Sequence, residues 1–409
     1  MTGPAGWVLH VDLDQFIAAV EVLRRPELAG LPVVVGGRGD PTERGVVSTA
    51  SYEARRYGVG SGMPLRLAVR KLRNASPEAV FLPVDAGAYD AASAEVMAVL
   101  RGLEWGGVPV LVEVLGWDEA FVGPGPDHGD LGDPVVFAER IRTTLLDRTR
   151  LASAVGIGDN KLQAKLATGF AKQRVEGAVA REAGAGIGEE SGPGGQQRGR
   201  GTYVISDDSW YDEMGARPTS ALWGIGKKTA DKLALLGIVT VEDLARADPE
   251  LLAAQLGPTT GPWLRRLGRG VASSEVDATP YVARGHGREE TFQEDLADWA
   301  DVESEVDRIA RRVVADIQAE GRPAVRVELK LRYRPFFTLT RSHKLAEPTT
   351  DPDLLAAEAV ALLDRVEKDR PVRLLGVRLE MTPPEGDAGP APSSGAEGQQ
   401  PKNGPIKVD

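Results

Sequence analysis

Two pairs of carboxylates stand out in the chain. Asp12 and Asp14 close the apolar run 7–14, Trp-Val-Leu-His-Val-Asp-Leu-Asp, and Asp118 and Glu119 follow the apolar run 108–114. A short apolar run that ends in acids reads as a buried strand delivering its carboxylates at the tip. If the two strands are neighbours, three or four carboxylates converge, and like charges that close need a compensating cation. Hard oxygen donors favour magnesium or manganese. Two such ions can activate an attacking hydroxyl and steady a leaving phosphate. Surface strands also end in Asp for purely structural reasons, and spacing alone does not choose between the two readings.

The elements that must position these acids alternate. Helical patterns at 15–25, 86–103, 134–148 and 160–172 are interleaved with apolar runs at 31–35, 108–114, 120–122 and 152–157, and 46–73 reads as a short strand followed by Arg-rich helical segments. Such alternation fits an α+β core. Residues 177–201 lose periodicity and read as a flexible insertion. Residues 217–256 read as helical, with a Gly-Ile-Gly turn at 224–226, and 258–283 as a connecting segment. Beyond them the order is strand 286–292, a helix marked by Val302, Val306, Ile309, Val313 and Ile317, a half-buried strand 325–334, strand 336–343, helix 352–367 and strand 372–381. That β-α-β-β-α-β order is the split, ferredoxin-like plan. The Pro/Gly/Ser-rich stretch after about 384 reads as a disordered tail.

Composition narrows the function classes. With 409 residues and 42% apolar content the chain can build several cores. It has no cysteine and only four histidines, which removes thiol chemistry and disfavours a zinc enzyme. No run of about 18 apolar residues spans a membrane, and the first residues lack a secretory pattern, so a cytoplasmic protein is the simplest expectation. The net charge of −11 argues weakly against nucleic acid, because local basic clusters decide such binding.

Five ordered motifs resemble the Y-family DNA polymerases, and within them the DinB (DNA polymerase IV) branch. They are 11–21 (Val-Asp-Leu-Asp-Gln-Phe-Ile-Ala-Ala-Val-Glu), 48–59 (Ser-Thr-Ala-Ser-Tyr-Glu-Ala-Arg-Arg-Tyr-Gly-Val), 115–121 (Leu-Gly-Trp-Asp-Glu-Ala-Phe), 156–167 (Gly-Ile-Gly-Asp-Asn-Lys-Leu-Gln-Ala-Lys-Leu-Ala) and 288–292 (Arg-Glu-Glu-Thr-Phe). The resemblance implies a right-hand α+β multidomain polymerase. The palm would be 1–30 and 80–176, the fingers 31–79, a helical thumb 202–257, a linker 258–283 and a little finger 284–384. It implies a low-fidelity translesion DNA polymerase that uses primer-template DNA and an incoming dNTP. Asp12, Asp118 and Glu119, with the Leu13 carbonyl, would hold two Mg2+ ions, with Mn2+ able to substitute, and Asp14 would be structural. Tyr52, Arg55 and Lys165 would grip the triphosphate, with Thr49 a weaker candidate and Lys161 nearby. A polyanionic triphosphate suits an Arg fork, a Lys point charge and a hydroxyl donor.

Two further segments suggest DNA holding. Gly224-Ile225-Gly226-Lys227-Lys228 resembles a helix-hairpin-helix, whose glycine N–H groups can meet a phosphate. Lys330, Arg332, Arg334, Arg341, His343 and Lys344 occupy a stretch without an acid and read as a phosphate-tracking ribbon.

Departures from the family pattern matter too. Ile17, after Phe16, replaces the usual Phe or Tyr of the sugar gate, which predicts weak exclusion of ribonucleotides. Gly116-Trp117 replaces Ser-Ile, and Trp117 is expected in the core below the site. The usual Pro after Lys172 is missing. A sliding clamp is a partner the family suggests, but no clamp-binding peptide stands out in the tail. A monomer is expected. The competing readings are a catalytically silent DNA-binding accessory protein of the same fold and, more remotely, a metal-dependent nuclease.

Overall fold

The structure, a computed structural model, describes residues 6–182 and 201–384. The expected tail at 385–409 and residues 183–200 of the expected insertion lie outside the described residues. The described chain forms two compact units, one of 6–24, 87–182 and 201–280, the other of 25–86 and 281–384.

The first unit is built on a five-stranded sheet. Its order is Thr202–Ile205, Ser153–Gly158, Val8–Leu13, Glu119–Gly123, Leu111–Val114. Val8–Leu13 runs antiparallel to both neighbours, and its apolar residues are buried without alternation, as a central strand covered on both faces requires. Helices Pro134–Thr149 and Lys161–Glu182 both pack on Ser153–Gly158. Asn160 starts the second of these by accepting from the amides of Leu162 at 3.1 Å and Gln163 at 3.2 Å. Short helices Lys227–Leu235, Val241–Arg246, Pro249–Leu256 and Thr260–Gly268 follow, sharing a core with Trp210, Met214 and Leu264.

The second unit holds two sheets. In the smaller, Val33–Val35 lies between Thr49–Ala50 and Val80–Leu82. In the larger, Gly285–Leu296, Val372–Met381, Ala324–Tyr333 and Thr338–Thr349 follow one another across an antiparallel sheet. Each strand-helix-strand crossover skips one strand of the other crossover, which is the split plan expected from the element order. Helix Trp299–Glu320 buries Val302, Val306, Ile309, Val313 and Ile317, the face its periodicity predicts.

Four segments differ from the sequence expectation. Helix Lys161–Glu182 continues into the supposed insertion. Strand Thr202–Ile205, expected at the start of the thumb, completes the first sheet parallel to Ser153–Gly158. Strand Val80–Leu82, placed by the sequence at the palm boundary, pairs with Val33–Val35. Part of the supposed linker is helix Thr260–Gly268, where Trp263, Leu264 and Leu267 supply an apolar face too short to stand out by periodicity.

Candidate active site

Strand register brings the distant acids together. Asp12 stands opposite Glu119, and the Leu13 amide donates to the Asp118 carbonyl at 2.8 Å. All three carboxyl-bearing residues are half-buried at one end of the sheet, whereas Asp14 is buried with its amide bonded to the carbonyl of Ala152. Three acids at a half-buried sheet end need positive charge, and helix Lys161–Glu182 supplies it. Lys172 Nζ lies 2.5 Å from Asp12 Oδ1 and 3.1 Å from the Leu13 carbonyl oxygen. Lys165 Nζ lies 2.5 Å from Glu119 Oε2. His10 Nε2 is 3.3 Å from that carboxylate oxygen and 3.3 Å from Lys165 Nζ. Lys161 pairs instead with Glu113 at 2.5 Å.

These neighbours pull the acids' proton affinities apart. Burial, then the charges of Asp12 and Glu119, push the Asp118 carboxyl up to about 6. Burial also pushes Glu119 upward, but the contact with His10 and the Lys165 ammonium outweigh it and take the carboxyl down to about 2. Burial lowers the His10 pKa from its ordinary value, against the pull of Glu119 and Asp12.

The donor set fits a hard divalent cation. Asp12 and the Leu13 carbonyl already share one cation, the Lys172 ammonium, which stands where a metal would draw on the same oxygens. Among the described residues no three His, Asp, Glu or Cys side chains are gathered to enclose an ion as they stand. Lys172 and Lys165 hold Asp12 and Glu119 each to itself.

Strand-to-helix contact is close here because of a glycine. A Cβ on Gly156 would meet the Ala164 carbonyl oxygen at 2.1 Å and the Thr168 nitrogen at 2.2 Å. Gly156→Ala therefore has to push the lysine-bearing helix off the sheet. Thermal denaturation should show a loss of about 3 kcal/mol or an insoluble product; a variant as stable as wild type would contradict this packing.

The remaining predicted residues fall as follows. Phe16 is buried and Ile17 half-buried on the first turn of helix Phe16–Arg24. Trp117 is not a core residue: it is half-buried, donates from Nε1 to Asp90 at 2.7 Å and meets Tyr89 edge-on, because Asp118 and Glu119 at the sheet end leave it at the rim. Thr49, Tyr52 and Arg55 belong to the second unit. There Ser51 caps helix Tyr52–Arg55, the Arg55 guanidinium lies 5.2 Å from the Tyr52 ring centre, and Arg55 Nε donates to the Ala50 carbonyl at 3.0 Å.

Gly224 has φ +96° and Gly226 caps helix Lys227–Leu235, with Lys227 and Lys228 both exposed. Lys227 pairs with Asp231 at 3.0 Å. The basic ribbon is less free of acids than its own sequence suggests. Lys330 reaches past Gly376 to Glu289 at 2.7 Å, and His343 meets Glu358 at 2.7 Å. Arg341 Nε donates to the Arg365 carbonyl at 3.0 Å, Arg332 Nε to the Thr338 hydroxyl at 2.8 Å, while Arg334 is 72% exposed. The partner acids come from other strands and helices, which a linear stretch cannot show.

Sequence reasoning passed over His10, Thr168 and Lys172. A signal existed: Lys161, Lys165, Thr168 and Lys172 recur at helical spacing along one face.

Comparison with known proteins identifies the family and the fold. Residues 11–169 match the impB/mucB/samB family, and residues 283–389 match the impB/mucB/samB family C-terminal domain. DNA polymerase IV 2 of Mycobacterium tuberculosis is 47% identical over 381 residues, covering 93% of this chain and 99% of that protein. DNA polymerase IV of Methanoculleus marisnigri is 36% identical, covering 93% of this chain and 96% of that protein. A solved Y-family DNA polymerase chimera shares the fold with a TM-score of 0.72 at 23% identity, over 91% of this chain and 98% of that one. DinB from Sulfolobus solfataricus does so with a TM-score of 0.54 at 23% identity, over 92% of this chain and 98% of that one. With both family models matched in order and such relatives along nearly the whole chain, the protein belongs to the impB/mucB/samB family, in the DinB branch of the Y-family DNA polymerases.

Proposed function

We propose that this DNA-directed DNA polymerase performs translesion synthesis at low fidelity, and that Asp12, Asp118 and Glu119 are its catalytic acids. The observation that carries the reading is the register of Asp12 against Glu119, with two lysines of one helix neutralising them. The Leu13 carbonyl and the three carboxylates would hold two Mg2+ ions, with Mn2+ able to substitute. The chemistry such ions would supply there is activation of an attacking hydroxyl and charge stabilisation of a leaving phosphate.

The chain's own residues do the rest. Lys165, already oriented at the acids, is set to meet the triphosphate as a point charge, and Tyr52 and Arg55, with Thr49, would add a hydroxyl and a guanidinium fork. Asp118, neutral more readily than an ordinary carboxyl, would have to give up its proton before it could hold a cation. Lys172 must leave Asp12 and the Leu13 carbonyl for the same reason. Phe16 anchors the start of the gate helix, and Ile17 stands beside it as the wall below the sugar. A silent accessory protein would not need three acids and two lysines kept in contact.

Primer extension over plain and damaged templates tests the reading. Extension that requires template, dNTP and a divalent cation, and that continues past an abasic site, supports it. A protein that binds primer-template but never extends it supports the accessory role instead.

For DNA holding, Gly224 and Gly226 would offer backbone amides, with Lys227, Lys228, Lys330, Arg332, Arg334 and Arg341 adding charge. Closeness of acid partners supports a ranking among them: Lys227 and Lys330 have acids at 3.0 and 2.7 Å, whereas the nearest to Arg334, Asp295, is 4.0 Å away. Lys228→Ala and Arg334→Ala should each reduce the slope of log affinity against log salt by about 0.9, equally on unrelated sequences. Lys330→Ala should change it by less than half as much. Fluorescence anisotropy at several salt concentrations measures this; equal slopes for Lys330→Ala and Arg334→Ala would contradict the ranking.

A further inference from the structure

The turn that joins Ala324–Tyr333 to Thr338–Thr349 carries two exposed aromatic rings, Phe336 and Phe337. The Tyr333 amide donates to the Phe337 carbonyl at 2.8 Å and the Arg334 amide to the Pro371 carbonyl at 3.1 Å, which sets the turn against the residues leading into Val372–Met381. Phe337 leans on its own neighbours: its ring stacks on Tyr333 at 6.3 Å, and the Arg370 guanidinium lies 5.2 Å from its centre. Phe336 is 66% exposed, and the Arg373 guanidinium lies 4.9 Å from its ring centre. A single exposed apolar side chain needs no explanation; the charge around this one does. Asp295 forms an ion pair with Arg44, while Arg334 Nε and Arg373 Nη1 each stand 4.0 Å from its oxygens, beyond hydrogen-bond reach. Burial and the charges of Arg44, Arg332 and Arg66, against the pull of Asp295, hold Arg373 below the usual guanidinium value. Five arginines of the second unit thus crowd about one carboxylate, an excess of positive charge that attracts an anion.

We propose that Phe336 and Arg373 form a site for an unpaired nucleotide of the template strand, the ring stacking on the base and the guanidinium holding an adjoining phosphate. The inference rests on the reading of this chain as a polymerase that holds primer-template DNA, and adds contact with a base to contact with the backbone. In a duplex each base face is covered by the next pair, so an exposed flat ring finds its partner in an unpaired strand. The phosphate beside the stacked base brings the negative charge that the arginines lack. An apolar protein partner would cover the ring and leave that charge unanswered; a nucleotide meets both. Stacking reads the face of a base and not its edge, so the site is indifferent to template sequence and fails where the template has no base.

Fluorescence anisotropy on primer-template DNA tests this with two template overhangs of equal length, one of ordinary nucleotides and one of abasic nucleotides that keep every phosphate. Phe336→Ala should weaken binding of the ordinary overhang by roughly tenfold and of the abasic one by less than about twofold. Phe336→Trp should bind the ordinary overhang at least as tightly as wild type, whereas Phe336→Leu, apolar but not flat, should fall with Ala. Arg373→Ala should reduce the slope of log affinity against log salt by about 0.7 on both overhangs. Equal losses on the two overhangs in Phe336→Ala, or a Leu variant as good as Trp, overturn the stacking contact, and an unchanged slope in Arg373→Ala overturns the phosphate contact. Unchanged affinity for both DNAs in Phe336→Ala also overturns the site, and a loss of self-association in sedimentation velocity would then assign the ring to a second copy of the chain. A wild-type protein that binds neither DNA defeats the reading of the chain as one that holds primer-template. Should Phe336→Ala not fold, the Trp and Leu variants on the two overhangs decide the matter.

Discussion

Asp118→Ala should lower kcat for templated primer extension by on the order of a thousandfold or more, while leaving primer-template affinity within about twofold of wild type. The acid sits half-buried at the sheet end beside Asp12 and Glu119, so its loss would remove one of the proposed cation ligands and touches no DNA-holding segment named above. A substitution that left extension intact would sink the catalytic assignment.

Asp118→Asn adds a thermodynamic signature. The folded-state pKa of Asp118 stands at about 6 against an ordinary 3.8, so the folded protein holds this proton more tightly than the unfolded chain. Ionising it therefore destabilises the fold, a cost absent below the ordinary value, growing as pH rises through the window to about 6 and constant above. Asn carries no such cost. The metal-free Asn variant should match wild type at about pH 4 and exceed it by up to about 3 kcal/mol at about pH 8. Added Mg2+ should then stabilise wild type and leave the variant nearly unmoved. Thermal denaturation across pH, with and without Mg2+, reads both effects. A variant less stable than wild type at high pH would mean that Asp118 is not under charge stress.

The second large effect is expected at Ile17. Ile17 is half-buried on the first turn of the helix that follows the acid-bearing strand, next to buried Phe16. On the proposed gate, an aliphatic branched side chain there would make a lower wall than an aromatic ring, and a 2′-hydroxyl would meet less resistance. Ile17→Phe should increase the preference for dNTP over rNTP by roughly a hundredfold, chiefly by suppressing ribonucleotide insertion. Deoxynucleotide insertion should fall by no more than about threefold. Competing insertion of each nucleotide class on one primer-template measures it. A wild-type preference already equal to that of the Phe variant would show that neighbouring residues close the gap without an aromatic gate.

Much of the architecture is legible along the chain because its signals are local. Helix Trp299–Glu320 buries the face its spacing announces, and the strands that carry the acids read as apolar runs ending in carboxylates. Strand Thr202–Ile205 and helix Thr260–Gly268 are too short for periodicity to mark, and each takes its place from what it packs against. Trp117 shows the converse failure. A large apolar residue beside the acids reads as core, yet the chain turns at the sheet end and leaves it at the rim, bonded to Asp90.

The candidate site divides in the same way. The sequence by itself determines which residues are candidates for chemistry: Asp12, Asp118 and Glu119 by type and motif order, Lys165 by its motif, Ile17 by its place after Phe16. Only the tertiary structure decides how they act on one another. The register of Val8–Leu13 against Glu119–Gly123 sets Asp12 opposite Glu119, and Gly156 lets one helix come close enough for Lys165 and Lys172 to reach them. Out of that packing come the raised Asp118 and the depressed Glu119 and His10, none of which any residue possesses alone. Residue type and local period belong to neighbours in the chain, whereas desolvation and charge coupling fall off steeply with distance in space and exist only once distant segments have packed.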